Sequence, residues 1–406
     1  MRYAIIGNGA AGNAAANAIQ QQDPAGEVLI FSDEPQPGYY RPLIVNLIDE
    51  DLDQDIFFPA RPENRGETGP RVVALDADAK RFTLQDGRTC AYDRLLLACG
   101  AAAIMPDIPG LPGPGAFVMR TLADARAVAQ AAARAQTALV IGAGRVGLKT
   151  ALALRQRGLA VSIVEQDPGL LPGQFDQEAG EILVTALTAR GIGLFFGQTV
   201  AEIKRDGERI AGAILKDGRN LAAQLVVAAV GVRPNMELAR QAGLKVRRGI
   251  VVDRELRTSS PEIYAAGDVA ETTDLITGEA LVSGLWTNAV EMGRLAGINM
   301  AGANLKYPGA WGVLNSLEVA GIPTVAIGVT NPPPGGDYHI QQSRRGNNYR
   351  KLIGRDEVLV GALLVGDLEG AGVYAGLIRS QSRLADLTAA LEHPGRCLAC
   401  RLAAGK

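Results

Sequence analysis

One glycine pattern occurs twice, each time between a short apolar run and a helix-forming stretch. Tyr3–Ile6 leads into Gly7-Asn8-Gly9-Ala10-Ala11-Gly12; an alanine-rich stretch runs to about Gln22, and Val28–Phe31 ends at Ser32-Asp33-Glu34. Further on, Ala138–Ile141 leads into Gly142-Ala143-Gly144-Arg145-Val146-Gly147; a helical stretch runs to about Arg157, and Val161–Val164 ends at Glu165. Strand, glycine turn, helix, strand is the opening unit of a doubly wound sheet. The first glycine of each pattern permits a tight turn, the second lets backbone approach a pyrophosphate, and the third lets helix and strand pack closely. The helix start, at Ala11 and Val146, then offers free N–H groups and a partial positive charge to phosphates. One such pattern is weak evidence. Two in matched context, each followed by an acidic residue at a second strand end, predict two dinucleotide-binding domains. The competing reading is a pair of glycine-rich turns with no ligand.

Glu165 is placed to accept hydrogen bonds from the adenosine ribose of the second nucleotide. Its neighbours Gln166 and Asp167 supply no cation for a 2′-phosphate, which favours NADH over NADPH. In the first unit, Asp33 and Glu34 both follow the strand, and Glu34 is the preferred ribose ligand. Either could instead be a solvated loop acid.

The remaining chain predicts an α/β protein: two Rossmann-type dinucleotide-binding domains and a smaller C-terminal mixed α/β domain. The first domain comprises residues 1–108 and 233–306, the second 109–232 and the third 307–385, followed by a tail, 386–406. Pro106 to Pro114 and Gly231-Val232-Arg233-Pro234-Asn235 read as crossings between domains. Arg71–Arg88 reads as a β-meander, and Lys216-Asp217-Gly218-Arg219 as a hairpin turn. In the third domain, strand-like runs occur at Thr324–Val329, Lys351–Ile353 and Val358–Val365, and His339 falls in a loop.

Net charge is −2 and no Lys/Arg-rich block occurs, so nucleic acid is not an expected partner. Four cysteines form no disulfide scaffold and fit a reducing cytoplasm. The N-terminus passes straight into a strand, leaving no room for a signal peptide. The longest apolar stretch, near Leu225 to Val232, is too short to span a bilayer, so direct membrane insertion is not expected.

The two glycine patterns, Ala98-Cys99-Gly100 between them, and then Gly231-Val232-Arg233-Pro234-Asn235 and Tyr264-Ala265-Ala266-Gly267-Asp268, resemble the pyridine nucleotide–disulfide oxidoreductase superfamily. Tyr40-Arg41-Pro42-Leu43, Trp286-Thr287-Asn288-Ala289 and Gly361-Ala362-Leu363-Leu364-Val365-Gly366-Asp367 are similar to one subfamily: rubredoxin reductases, ferredoxin reductases of oxygenase systems and nitrite reductase flavoproteins. The resemblance implies FAD on the first fold and NAD(H) on the second. It implies that Asp268 accepts from a ribityl hydroxyl, that the Val72 backbone contacts adenine, and that Cys99 stands where the family has threonine. A small buried thiol is the reading for Cys99. The helix opened by Trp286 and Thr287 would direct its N-terminus at the flavin pyrimidine end and stabilise anionic reduced flavin. Trp286 reads equally as a core aromatic.

Disulfide reductases of this superfamily carry redox cysteines shortly after the first unit, and residues 35–60 here contain none. The resemblance therefore implies electrons leaving the flavin directly for an acceptor. A second departure is Lys149, where relatives carry glutamate near the nicotinamide; the position of its usual lysine partner is Asn46. Lys149 reads as a cation near the flavin, as a sign of altered nicotinamide docking, or as an exposed helix lysine. The implied function is an NADH:acceptor oxidoreductase serving a small redox protein or a partner reductase subunit, in a homodimer or larger complex. The alternatives are an NADH oxidase reducing oxygen and an FAD-binding structural or redox-sensing subunit. The tail pair Cys397 and Cys400, near His393, is too small a set for a complete zinc site, and no metal is expected.

Overall fold

The computed structural model describes residues 1–49, 56–59 and 65–383. The tail motif of His393, Cys397 and Cys400 lies outside the described residues. The chain divides into two units: Met1–Ile44, Leu52–Ala102 and Val232–Trp311 form one, and Val45–Asp51, Ala103–Gly231 and Gly312–Lys406 the other.

In the first unit a five-stranded parallel sheet has the order Ile263–Ala265, Arg94–Leu97, Arg2–Ile6, Glu27–Ser32, Arg65–Thr68. Strands covered on both faces need apolar side chains on both, and Ala4, Ile5, Leu95, Leu96 and Leu97 are fully buried. Helices Ala10–Gln22 and Trp286–Met300 run parallel and almost touch. A Cβ at Gly293 would lie 2.1 Å from the Ala11 carbonyl oxygen, and one at Gly297 2.5 Å from that of Ala15. Alanine on one helix and glycine on the other are what this backbone separation requires. The meander is present as Val72–Asp76, Arg81–Leu84 and Thr89–Ala91. It is fastened to the main sheet by the edge-to-face pair Phe31–Phe82, with ring centroids 4.9 Å apart.

The second unit repeats the plan, with parallel strands ordered Ile192–Phe196, Ala160–Glu165, Thr137–Ile141, Leu225–Ala228, Ala116–Val118. Strands Arg209–Leu215 and Asn220–Leu221 flank the turn at Lys216–Arg219. The C-terminal part is a five-stranded antiparallel sheet, ordered Leu314–Val319, Ile322–Gly328, Val358–Val365, Asn348–Arg355, His339–Arg345, carrying helix Ala371–Ser380. His339 is not in a loop: it opens the edge strand, opposite Gly354. That strand, His-Ile-Gln-Gln-Ser-Arg-Arg, is exposed along nearly its whole length, so it has no apolar alternation to reveal it. Among the described residues no helix is long and apolar enough to cross a membrane.

Candidate functional site: two glycine cradles

In both units the three glycines meet the same three constraints. Gly7 has φ +121°, and a Cβ there would lie 2.1 Å from the Ala98 carbonyl oxygen. A Cβ at Gly12 would lie 1.9 Å from the carbonyl oxygen of Gly7. At Gly9, by contrast, a Cβ would meet nothing within 4 Å, and Gly9 opens helix Ala10–Gln22 with no side-chain cap. The second loop matches it: Gly142 has φ +104°, and a Cβ at Gly147 would lie 2.0 Å from Gly142's carbonyl oxygen. Gly144 faces open space and leaves helix Arg145–Gln156 without a side-chain cap. Packing therefore requires glycine at the first and third positions, and the bare second position opens a cradle before unsatisfied helix N–H groups. That geometry and polarity fit a dinucleotide pyrophosphate.

Around the first cradle, Asp33 is exposed and Glu34 half-buried. The Glu34 carboxylate accepts hydrogen bonds from the Tyr39 hydroxyl at 2.5 Å and from Arg41 at 2.7 Å. The Arg41 guanidinium lies over the Tyr39 ring. Burial works against its charge, but Tyr39, Glu34 and Asp268 hold its pKa above the ordinary arginine value. Pro42 follows on the 3₁₀ helix Arg41–Ile48, which continues to the half-buried Asn46 in the second unit. Val72 is buried at the start of its strand. Ala98 is buried against the first glycine, and Gly100 has φ +64°. The Cys99 carbonyl accepts from the Asn235 side chain at 2.9 Å. Burial, aided by Asp33, pushes the Cys99 thiol up to about 12, so it is not a thiolate at neutral pH.

Gly267, at φ +78°, packs on Ala11 and leads to the half-buried Asp268. Helix Trp286–Met300 also begins without a side-chain cap. Its first residue, Trp286, packs against Tyr40 and Phe58, with ring centroids 5.6 and 5.9 Å away, and Thr287 beside it is exposed. Trp286 therefore belongs to a partly exposed aromatic cluster at a helix N-terminus. Sequence reasoning assigned no role to Asn288, which is fully buried and ties this helix to Trp311. Its side chain donates to the Ser283 hydroxyl and the Trp311 carbonyl and accepts from the Trp311 N–H.

At the second cradle, Glu165 is only 7% exposed. Its carboxylate accepts the N–H of Ala143 at 2.7 Å and that of Asp167 at 3.0 Å. The acid thus braces the glycine turn from the strand end. Val146 is exposed beside Gly144, and Lys149 is half-buried one turn further along the helix. Gly231, at φ +115°, accepts from the Ile104 N–H through its carbonyl. Arg145 donates to the Asn315 side chain, which donates in turn to Gln174 at 2.5 Å. No short-range pattern joins these three residues, so this contact was not legible beforehand.

The family model for pyridine nucleotide-disulphide oxidoreductases matches residues 1–293, and that for the rubredoxin NAD+ reductase C-terminal domain matches residues 314–382. The chain is 31% identical over 379 residues to the assimilatory nitrate reductase electron transfer subunit of Bacillus subtilis, covering 90% of this chain and 48% of that protein. It thus spans about half the length of that relative. It is 34% identical over 345 residues to an NADH oxidase of Methanocaldococcus jannaschii, covering 81% of this chain and 76% of the relative. Among solved structures, a ferredoxin reductase from Rhodopseudomonas palustris superposes with a TM-score of 0.85 at 26% identity, covering 96% of this chain and 99% of the other. With both glycine cradles formed and the match running through most of its length, this chain belongs to the pyridine nucleotide-disulphide oxidoreductase family.

Proposed function

We propose that this protein is an FAD-dependent NADH oxidoreductase that delivers electrons to a separate redox protein, of rubredoxin or ferredoxin type, or to a partner subunit. The observation that carries the reading is the pair of equivalent glycine cradles, one in each unit, in a chain with no cysteine in residues 35–60. FAD, when bound, supplies hydride acceptance from NADH and onward electron release, chemistry that needs no side-chain acid or base. The chain's residues bind and orient. In this reading Gly7, Gly9 and Gly12 seat the FAD pyrophosphate, Asp33 or Glu34 and Val72 serve its adenosine end, and Asp268 accepts from its ribityl chain. Arg41, Pro42, Ala98, Cys99, Gly100 and Gly267 shape the surrounding wall. The uncapped start of helix Trp286–Met300 offers N–H groups and a partial positive charge to the reduced flavin. Gly142, Gly144 and Gly147 seat the pyrophosphate of NADH, and Glu165 receives its ribose. Lys149 contributes a positive charge on the NADH-binding helix.

The test is anaerobic mixing of the purified protein with NADH, followed by visible absorbance. Bleaching of the flavin band is expected, and an unbleached band removes NADH as donor. The likeness to an NADH oxidase favours oxygen as a second acceptor. Aerobic NADH consumption without a protein acceptor, as fast as with rubredoxin or ferredoxin added, would establish that alternative.

A further inference from the structure

Between Glu165 and helix Gln177–Ala189, residues 166–176 turn back onto the second glycine loop. The Leu171 N–H donates to the Ala143 carbonyl at 3.1 Å, while the Ala143 N–H donates to Glu165 at 2.7 Å. Both backbone polar groups of the residue between Gly142 and Gly144 are therefore held by this loop and the strand end before it. Leu171 is 1% exposed and has φ +48°, a left-handed conformation that strains a side chain with a Cβ. Such a conformation persists only where its surroundings over-determine it.

The C-terminal part of the chain holds this loop just beyond Leu171. Three consecutive loop residues are each held from it, two by sheet strands and the middle one by Asn331 in the loop after strand Ile322–Gly328. Gln174 accepts from the Asn315 side chain at 2.5 Å, and the Phe175 carbonyl accepts from Asn331 at 3.1 Å. Asp176 accepts from the Tyr349 hydroxyl at 2.6 Å and from the Lys351 ammonium at 3.0 Å. The Lys351 side chain is 8% exposed. Asp176 also caps the helix that follows, accepting the Ala179 N–H at 3.0 Å. Burial acts to raise the Asp176 pKa, but the bonds from Tyr349, Ala179 and Lys351 outweigh it and hold the carboxyl below its ordinary value. An apolar contact would hold two surfaces together at lower desolvation cost, whereas a buried ion pair fixes their register.

We infer that Lys351, acting through Asp176, is a positioning residue for NADH: it lets the C-terminal sheet hold residues 166–176 against the second glycine loop and so sets nucleotide affinity. The inference rests on the proposed NADH-binding role of that loop.

The test uses the full-length, FAD-loaded protein. Anaerobic rapid mixing over a range of NADH concentrations gives both the Kd for NADH, from half-saturation of the flavin-bleaching rate, and that rate at saturating NADH. Lys351→Met should raise the Kd about tenfold, as expected if the seated loop falls to about a tenth of the population. FAD content and the saturated bleaching rate should not change, and Lys351→Arg should recover most of the affinity. Glu181→Gln, which breaks the exposed pair with Arg344 in the same interface, should leave the Kd within about twofold. If Lys351→Met does not fold, Tyr349→Phe removes one bond to Asp176 while keeping the ion pair, and should raise the Kd about threefold. A folded Lys351→Met, or failing that a folded Tyr349→Phe, that binds NADH as tightly as the parent overturns the inference. So does an equal loss of affinity in Glu181→Gln. Failure of the parent protein itself to bind NADH would overturn the proposed function and this inference with it.

Discussion

Replacing Gly144 with alanine separates the binding role of the second glycine loop from its folding role. The new Cβ would point into space with no protein atom within 4 Å. Gly144 has φ −74°, which alanine adopts without strain. Alanine narrows the unfolded ensemble, worth about 0.4–1 kcal/mol in favour of folding. It is a poorer N-cap than glycine, a cost of up to about 1 kcal/mol. The two nearly cancel, so thermal stability should stay within about 1 kcal/mol of the parent. NADH binding should not survive so well. The methyl group occupies the approach of the pyrophosphate to the helix N–H groups. Losing two charge-assisted hydrogen bonds at about 1.5–3 kcal/mol each totals about 3–6 kcal/mol. That is an increase in Kd of about two to four powers of ten. The assay combines a circular-dichroism melt, FAD content from visible absorbance, and the NADH dependence of the anaerobic flavin-bleaching rate. Gly147→Ala is the contrasting control: its Cβ would lie 2.0 Å from a backbone carbonyl oxygen, so it should lower the melting temperature outright. If Gly144→Ala melts normally, keeps its FAD and binds NADH within twofold of the parent, the second glycine loop is not a pyrophosphate cradle.

Two further perturbations test other parts of the structure. Gly293→Ala would bring a methyl to 2.1 Å from the Ala11 carbonyl oxygen, forcing two parallel helices apart; a loss of about 1–3 kcal/mol and weaker FAD retention are expected in denaturant titration and dialysis. A parent-like denaturation midpoint would show that the helices do not pack this closely. Asp176 has a folded pKa below its ordinary value, so its stabilisation is fully present above about pH 5 and is lost as pH falls through the folded pKa. Urea unfolding should therefore show the gap between the parent and Asp176→Asn narrowing as pH drops from about 5 to about 3; a gap that widens would reverse the assigned sign.

Much of the fold was legible because its determinants are local. Gly7 and Gly12 constrain one another within a single turn, as do Gly142 and Gly147, so their spacing encodes the contact. Runs such as Ala138–Ile141 and Val358–Val365 announce buried strands because burial on both faces demands nearly continuous apolar side chains. The edge strand His339–Arg345 gave no such signal, since water covers what a neighbouring layer would otherwise cover. Glu34 and Glu165 could both be named as strand-end acids from sequence. Only the folded chain shows one engaged by Tyr39 and Arg41 and the other by two backbone N–H groups. Nor does any local rule join Arg145 to Asn315, Trp286 to Tyr40, or Asp176 to Lys351. The sequence by itself determined that two cradles would form, because each is closed by residues a few positions apart. Only the tertiary structure decided what holds the second cradle's loop in place: its partners come from strands far along the chain, and polar side chains carry no periodicity that foretells which of them will meet.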